Sequence, residues 1–167
     1  MEKKLYETLS AIDCSKYVEK KQNLSYLSWA WAWDQFIRVC PDAKYEVKKF
    51  EDKPYLYDDK LGYMVFTSIT VGDDTKEMWL PVMDGANKSM KDHPYKYVVR
   101  QKNWQTQEYT TVEKVCEAAS MFDINKTIMR CLVKNIAMFG LGLYIYAGED
   151  LPQPIEDDRW DGLDAKK

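Results

Sequence analysis

The sequence predicts a single α+β domain in which antiparallel strands in the middle of the chain lie between two helices. Residues 43–82 are rich in β-branched and aromatic side chains, and Gly72-Asp73-Asp74 divides them as a hairpin turn would. Residues 25–40 and 123–139 instead repeat apolar side chains at helical spacing. At 167 residues the chain is long enough to bury one hydrophobic core.

The first of these helices is unusual because it carries Trp29, Trp31 and Trp33 at alternate positions. Alternation is typical of a half-buried strand, but a helix accounts for more of the apolar positions. We expect a helix over about residues 25–40, with Trp29 and Trp33 facing the core and Trp31 on the opposite side. The residues that support it are a stripe of Trp29, Trp33, Phe36, Ile37 and Cys40, possible N-caps at Ser25 and Ser28, and Pro41 as the stop.

Weaker local patterns indicate the remaining elements. Residues 1–22 have a faint helical repeat, and Asp84-Gly85 favours a turn within a loop over residues 83–94. The predicted strands are 43–50, 61–71 and 76–82, followed by a second hairpin over 95–112 that turns near Asn103 and a short helix over 111–122.

The C-terminal helix is expected to start at an Asp123 or Asn125 cap and to end before Gly140. Apolar side chains cover most of its circumference, yet Lys126, Arg130 and Lys134 follow one another at four-residue steps. Like charges at this spacing repel each other by about 0.2–0.5 kcal/mol per pair. The stripe therefore indicates either a groove that faces an anion or an ordinary solvated edge.

Charge is distributed unevenly along the chain. The whole sequence has 24 basic and 27 acidic residues, but residues 149–167 contain seven of the acids and only three of the bases. Residues 1–148 therefore carry a net charge of +1, and residues 86–102 alone carry +4. We expect a core domain over residues 1–148, followed by an acidic tail over 149–167 that has too few apolar groups to fold alone.

Cysteine and histidine usage argues against a metal centre. The four cysteines are scattered without a C-x-x-C pair, and the chain has one histidine, so we expect reduced, buried thiols and neither a metal nor a cofactor. No apolar run approaches the roughly 18 residues needed to cross a bilayer. The first ten residues, MEKKLYETLS, lack the apolar stretch of a secretory signal, so we expect the cytoplasm and no membrane partner.

Three segments resemble a known protein family. SYLSWAWAWDQF, PVMDGANKSMK and SMFDINKTIMRCLVKNIAMFGLGLYIYAGEDLP are similar to phage Sak-type single-strand annealing proteins, once catalogued as a domain of unknown function. The spacing from Arg130 and Lys134 to Phe139-Gly140-Leu141-Gly142 also resembles a wider pattern shared with Rad-type strand-annealing recombinases. One departure is Leu143, where that pattern has Arg.

The resemblance implies an antiparallel β-β-β-α core that assembles into rings or filaments. Single-stranded DNA would lie in a basic groove with its bases exposed, and annealing in phage or mobile-element recombination would need no ATP. The absence of a G-x-x-x-x-G-K-[ST] loop agrees with this. We expect Lys126, Arg130 and Lys134 to bind DNA, Lys88, Lys91, Arg100 and Lys102 to be secondary DNA contacts, Trp104 and Tyr109 to be possible stacking groups, and Trp31 to contact a neighbouring subunit.

Two other classes of function are weighed against annealing. Asp42, Glu46 and Lys48 match the residue types of a metal-dependent nuclease motif, in which the Asp and the Glu-x-Lys pair meet at one metal from neighbouring strands. Only three residues separate Asp42 from Glu46, too few for two paired strands, so we do not expect an enzyme. A non-enzymatic adaptor or an inhibitor of a host replication or repair factor also fits a Trp-rich helix and an acidic tail. On either reading the tail can bind a phage or host single-strand-binding protein or exonuclease, or compete with DNA for the groove.

Overall fold

The computed structural model describes residues 2–21 and 24–147, and it confirms the α+β class. The chain forms both helices and antiparallel strands. No helix in the described part is long and apolar enough to span a membrane. The elements are α1 (Lys3–Ser10), β1 (Val18–Lys21), β2 (Leu24–Leu27), α2 (Trp29–Val39), β3 (Lys44–Val47), β4 (Leu56–Asp58), β5 (Gly62–Val71), β6 (Asp74–Pro81), β7 (Tyr95–Lys102), β8 (Tyr109–Cys116) and α3 (Met121–Ala137), with short 3₁₀ turns at Ser15–Tyr17 and Leu143–Tyr146.

Strand β5 is the centre of the main sheet. Strand β6 pairs with it from Met64–Pro81 to Val71–Asp74, so the predicted hairpin is confirmed. Gly72 adopts φ +59° in the two-residue turn, a conformation that glycine reaches at little steric cost. The other edge of β5 pairs with β3 near its end and with β4 near its beginning.

Helix α3 covers one face of this sheet. The buried side chains of β5, Val65, Thr67 and Ile69, alternate along the strand and point to the same side. A capping box fixes the start of the helix, since the Ser120 hydroxyl accepts from the Asp123 N–H and the Asp123 carboxylate accepts from the Ser120 N–H. The predicted caps, Asp123 and Asn125, were therefore wrong, because Asp123 acts three residues into the helix.

A polar link lies inside the interface between α3 and the sheet. Asn135 is fully buried, its amide donates to the Lys76 carbonyl at 3.0 Å, and its carbonyl accepts from the Thr67 hydroxyl at 3.0 Å. Buried polar groups are costly unless they are hydrogen-bonded. This link therefore fixes the position of α3 along β5 and β6.

Helix α2 begins at Trp29 with Ser28 as its N-cap, so the helix and one of its two predicted caps are confirmed. The other predicted cap, Ser25, lies in β2, outside the helix. Ala32, Phe36 and Cys40 form its buried stripe. Trp29 is 47% exposed, which contradicts the prediction that it faces the core. Seven residues separate Trp29 from Phe36, so both lie on nearly the same face of the helix. Trp29 is nevertheless the first residue of α2, and it lines a surface hollow at the edge of the core.

The other two tryptophans of α2 are half-buried and pack against the core, so the prediction for Trp33 is confirmed and the prediction that Trp31 points away from the core was wrong. Trp33 packs edge-on against Tyr45 at 5.3 Å between ring centroids. Trp31 stacks on Tyr17 at 4.3 Å, with the ring planes 19° apart. The segment before α2 thus supplies the partner of Trp31.

Strands β7 and β8 form a separate two-stranded sheet, paired from Tyr95–Cys116 to Lys102–Tyr109. The hairpin prediction for residues 95–112 is confirmed. The predicted short helix over 111–122 was wrong, because residues 109–116 continue the ladder with β7 and only residues from Met121 are helical. The Tyr95 hydroxyl donates to the Ser89 carbonyl at 2.6 Å and joins the base of the hairpin to the preceding loop.

Candidate nucleic-acid interface

The three cations of α3 lie on one side of the helix, as their spacing predicts, and each faces an aromatic ring. Arg130 and Lys134 are half-buried, while Lys126 is more exposed and its ammonium lies 3.9 Å from the Asp123 carboxylate. The charge-to-ring pairs are Lys126 with Phe122 at 5.8 Å, Arg130 with Tyr26 at 5.2 Å and Lys134 with Tyr146 at 5.3 Å. These distances fall within the range of cation–π attraction.

Hollows follow the stripe along α3. A hollow of about 280 Å³ lies between α3 and the β1–β2 hairpin, and Lys126 and Arg130 form part of its wall. The same two side chains line a smaller hollow of about 80 Å³ on the side of the 83–87 loop, and Lys134 lines one of about 620 Å³ near the described end of the chain. We call this series the α3 groove; it is defined by Tyr26, Trp29, Lys126, Arg130, Lys134 and Tyr146.

Tyr26 occupies the middle of the groove and was not among the sequence candidates. Its ring lies 5.2 Å from the Arg130 guanidinium and 5.9 Å from the Lys21 ammonium, so two cations from different elements approach one ring. Glu19, which pairs with Tyr26 across the β1–β2 ladder, also lines the hollow and lies 3.7 Å from Lys21. Strands of four residues give little pattern, and the signals for this segment were the basic Lys20-Lys21 pair and the place of Tyr26 at the start of SYLSWAWAWDQF.

The secondary candidates do not form a single patch. Tyr95 and Tyr97 lie on one face of the β7–β8 hairpin, where Lys91 and Lys88 pack over their rings at 4.9 and 4.8 Å. Arg100 and Lys102 are on the other face by strand alternation. There Arg100 lies 3.9 Å from the Tyr109 ring, and Lys102 lies 4.4 Å from Trp104.

The turn before β7 is built as its sequence predicts. The Asp84 carboxylate accepts hydrogen bonds from the backbone N–H groups of Ala86 and Lys88, both at 2.9 Å. Asp84 therefore has a structural role in shaping the loop that borders the small hollow. No group of three His, Cys, Asp or Glu side chains within residues 2–21 and 24–147 is placed to hold a metal ion.

The glycine-rich motif that follows α3 contributes residues both to the hydrophobic core and to the α3 groove. Phe139 is fully buried against Phe36 at 5.6 Å, and a Cβ on Gly140, at φ +122°, would come within 2.8 Å of the Tyr6 carbonyl oxygen. The Tyr144 hydroxyl accepts a hydrogen bond from the Cys14 N–H at 2.9 Å. Leu143, the departure from the wider pattern, is 43% exposed and lines the largest hollow of the α3 groove.

The cysteines are buried and separate, as expected for structural thiols. Burial raises the pKa of all four thiols, Cys14, Cys40, Cys116 and Cys131, above the usual value. Raised values disfavour the reactive thiolate. None of these thiols therefore resembles a catalytic nucleophile.

The arrangement provides what binding of a single strand requires: cations that neutralise phosphates and flat rings that accept any base. A family model described as Sak single strand annealing protein matches residues 4–164. No curated protein and no solved structure gives a significant match. Residues 149–167, the predicted acidic tail, lie outside the described residues.

Proposed function

The chain belongs to the family of Sak single-strand annealing proteins, and from that premise we propose that it binds single-stranded DNA along the α3 groove. Membership in the family supports a general role in annealing single strands. Our proposal adds that binding has no sequence preference, that annealing needs no ATP, and that the process serves homologous recombination of a phage or mobile element.

The observation that carries this proposal is the alternation of cations and aromatic rings along the groove. Arg130 and Lys126 lie beside Tyr26 and Trp29, and Lys134 lies beside Tyr146. Ring faces and ammonium groups recognise features that every nucleotide has, so this chemistry favours binding that is independent of sequence. The sequence also has no phosphate-binding loop of the Walker type, which supports annealing without ATP.

A strand-annealing assay tests the proposal. Two complementary oligonucleotides, one with a fluorophore and one with a quencher, are mixed with and without protein, in the presence and absence of ATP and magnesium. We expect faster quenching with protein in every buffer and no quenching with non-complementary strands. A rate no higher than that of protein-free DNA under all these conditions would refute annealing, and loss of DNA binding as well would favour the adaptor or inhibitor function.

We also propose that the protein forms a homo-oligomer through the surface around Trp31. Aromatic side chains commonly concentrate the binding energy of interfaces, and the Trp31–Tyr17 stack presents such a pair at the margin of the groove. Light scattering on Trp31→Ala should show smaller species than the unmodified protein. The matched control is Trp79→Ala, since Trp79 is 53% exposed on the face of the sheet opposite α3. An unchanged oligomer in Trp31→Ala would contradict this interface.

A further inference from the structure

We propose that Trp29 is the platform on which one unpaired nucleobase stacks, inside the 280 Å³ hollow of the α3 groove. The adjoining phosphates would contact Lys126 and Arg130, which line the same hollow. This inference rests on the proposed function and names the residue that recognises the base rather than the backbone.

The exposure of Trp29 requires an explanation. Burying such a ring is worth on the order of 2–3 kcal/mol, so a chain that leaves 47% of it in water forgoes part of that stabilisation. Its position is nevertheless fixed, because it is the first residue of α2, with Ser28 capping the helix and Ala32 buried one turn later. A solvent-facing ring whose backbone is held at a groove wall by the start of a helix is suited to stacking with a ligand.

Comparison of the aromatic rings in the hollow singles out Trp29. The Tyr26 ring is already approached by Arg130 and Lys21, and the Tyr17 ring is stacked on Trp31. Tyr146, the other ring that lines the hollow, has the Lys134 ammonium over it at 5.3 Å. No Lys or Arg of residues 2–21 and 24–147 lies over the Trp29 ring, and it has no stacked aromatic neighbour within those ranges. Among the rings that line the hollow, the face of Trp29 is therefore the one available to stack with a base.

The size and charge of the hollow fit one base. Small-molecule pockets range over about 300–1,000 Å³, so 280 Å³ is too small for a run of stacked nucleotides. Lys126 and Arg130 bring positive charge from α3, whereas Glu19 brings negative charge from β1. Phosphates would therefore lie on the α3 side, and Glu19 would face the hydrogen-bond donors of the base edge.

The test compares two probes of equal length and charge, an oligothymidylate and an abasic deoxyribose-phosphate strand, on the full chain. Trp29→Ala should lower affinity for oligothymidylate by about 5- to 150-fold, as expected for one base stack, and leave affinity for the abasic strand unchanged. The slope of affinity against salt should also stay the same, because no phosphate contact is removed. Trp29→Phe should retain most of the affinity, and Trp79→Ala should behave like the unmodified protein.

A second readout does not depend on the Ala variant remaining folded. Oligothymidylate should quench tryptophan emission of the unmodified protein more than that of Trp29→Phe. Equal quenching, or equal losses on both probes for a Trp29→Ala protein that melts like the unmodified one, would overturn the stacking role while leaving the groove intact. If the unmodified protein bound neither probe, the proposed function itself would fail, and the inference with it.

Discussion

Replacing Arg130 and Lys134 together with Ala removes the two half-buried cations of the α3 groove and leaves Lys126. On single-stranded DNA each phosphate contact contributes about −0.7 to the slope of log affinity against log salt, so three contacts give about −2.1 and one gives about −0.7. Affinity of the unmodified protein should then fall about 20-fold between roughly 50 and 200 mM salt, and that of the double variant about 3-fold. The Lys126 ammonium lies 3.9 Å from the Asp123 carboxylate, which competes with a phosphate for it. The slope given for the double variant is therefore the steepest that we expect.

The assay is a fluorescence-anisotropy titration with a labelled oligothymidylate at four or five salt concentrations. The matched control is Lys44→Ala with Lys48→Ala, which removes the same charge from the sheet face turned away from α3. We expect the control to keep the slope of the unmodified protein, and thermal melts to show that both variants are folded. An unchanged slope in Arg130→Ala/Lys134→Ala, or an equal change in the control, would refute the placement of the groove on α3.

Three further outcomes follow from the described contacts. Asn135→Ala should lower the free energy of unfolding by about 2–3 kcal/mol in a urea titration, because it removes two buried hydrogen bonds, with the Thr67 hydroxyl and the Lys76 carbonyl. Asn125→Ala on the exposed side of the same helix should have little effect. Truncation after residue 148 should raise DNA affinity at low salt, because it removes seven acids and only three bases. The segment removed follows Ala147, which lines the α3 groove. Equal affinities of the truncated and full chains would leave the tail only a partner-binding role. The four thiols should react slowly with a thiol reagent at pH 8 and fully after denaturation, since burial raises the pKa of each; rapid reaction in the native protein would contradict their burial.

Local patterns predicted the elements that depend on local chemistry. The β5–β6 hairpin follows from its Gly-Asp turn, and α3 follows from its apolar repeat. The helix ends at Ala137 with Met138 as its C-cap, so Gly140 and Gly142 lie beyond its end and do not cap it. The cation stripe is a consequence of that helix, so its placement on one face could also be predicted.

Features that depend on distant parts of the chain were missed or misread. Tyr26 gains its significance from Arg130, which is 104 positions away, and no local pattern joins the two. Residues 111–116 were predicted to begin a helix, although their Thr and Val side chains are of the kind that strands favour. Pairing with β7 along the whole of β8 makes them a strand. The exposure of Trp29 follows from its place as the first residue of α2. The helical repeat gives the direction of a side chain around the axis, but not how far the core extends along the helix.

The hydrogen bond between Cys14 and Tyr144 has a consequence for how the groove comes into existence during synthesis. The β1–β2 wall leaves the ribosome early, whereas α3 and the segment that ends at Tyr144 leave it late, and domains of this size generally fold as whole units. Contacts between residues so far apart in sequence also slow folding, because the loop between them must close first. A nascent chain therefore presents Lys21 and Tyr26 for some time without Arg130, and it acquires the complete groove only when almost all of the described chain has been made.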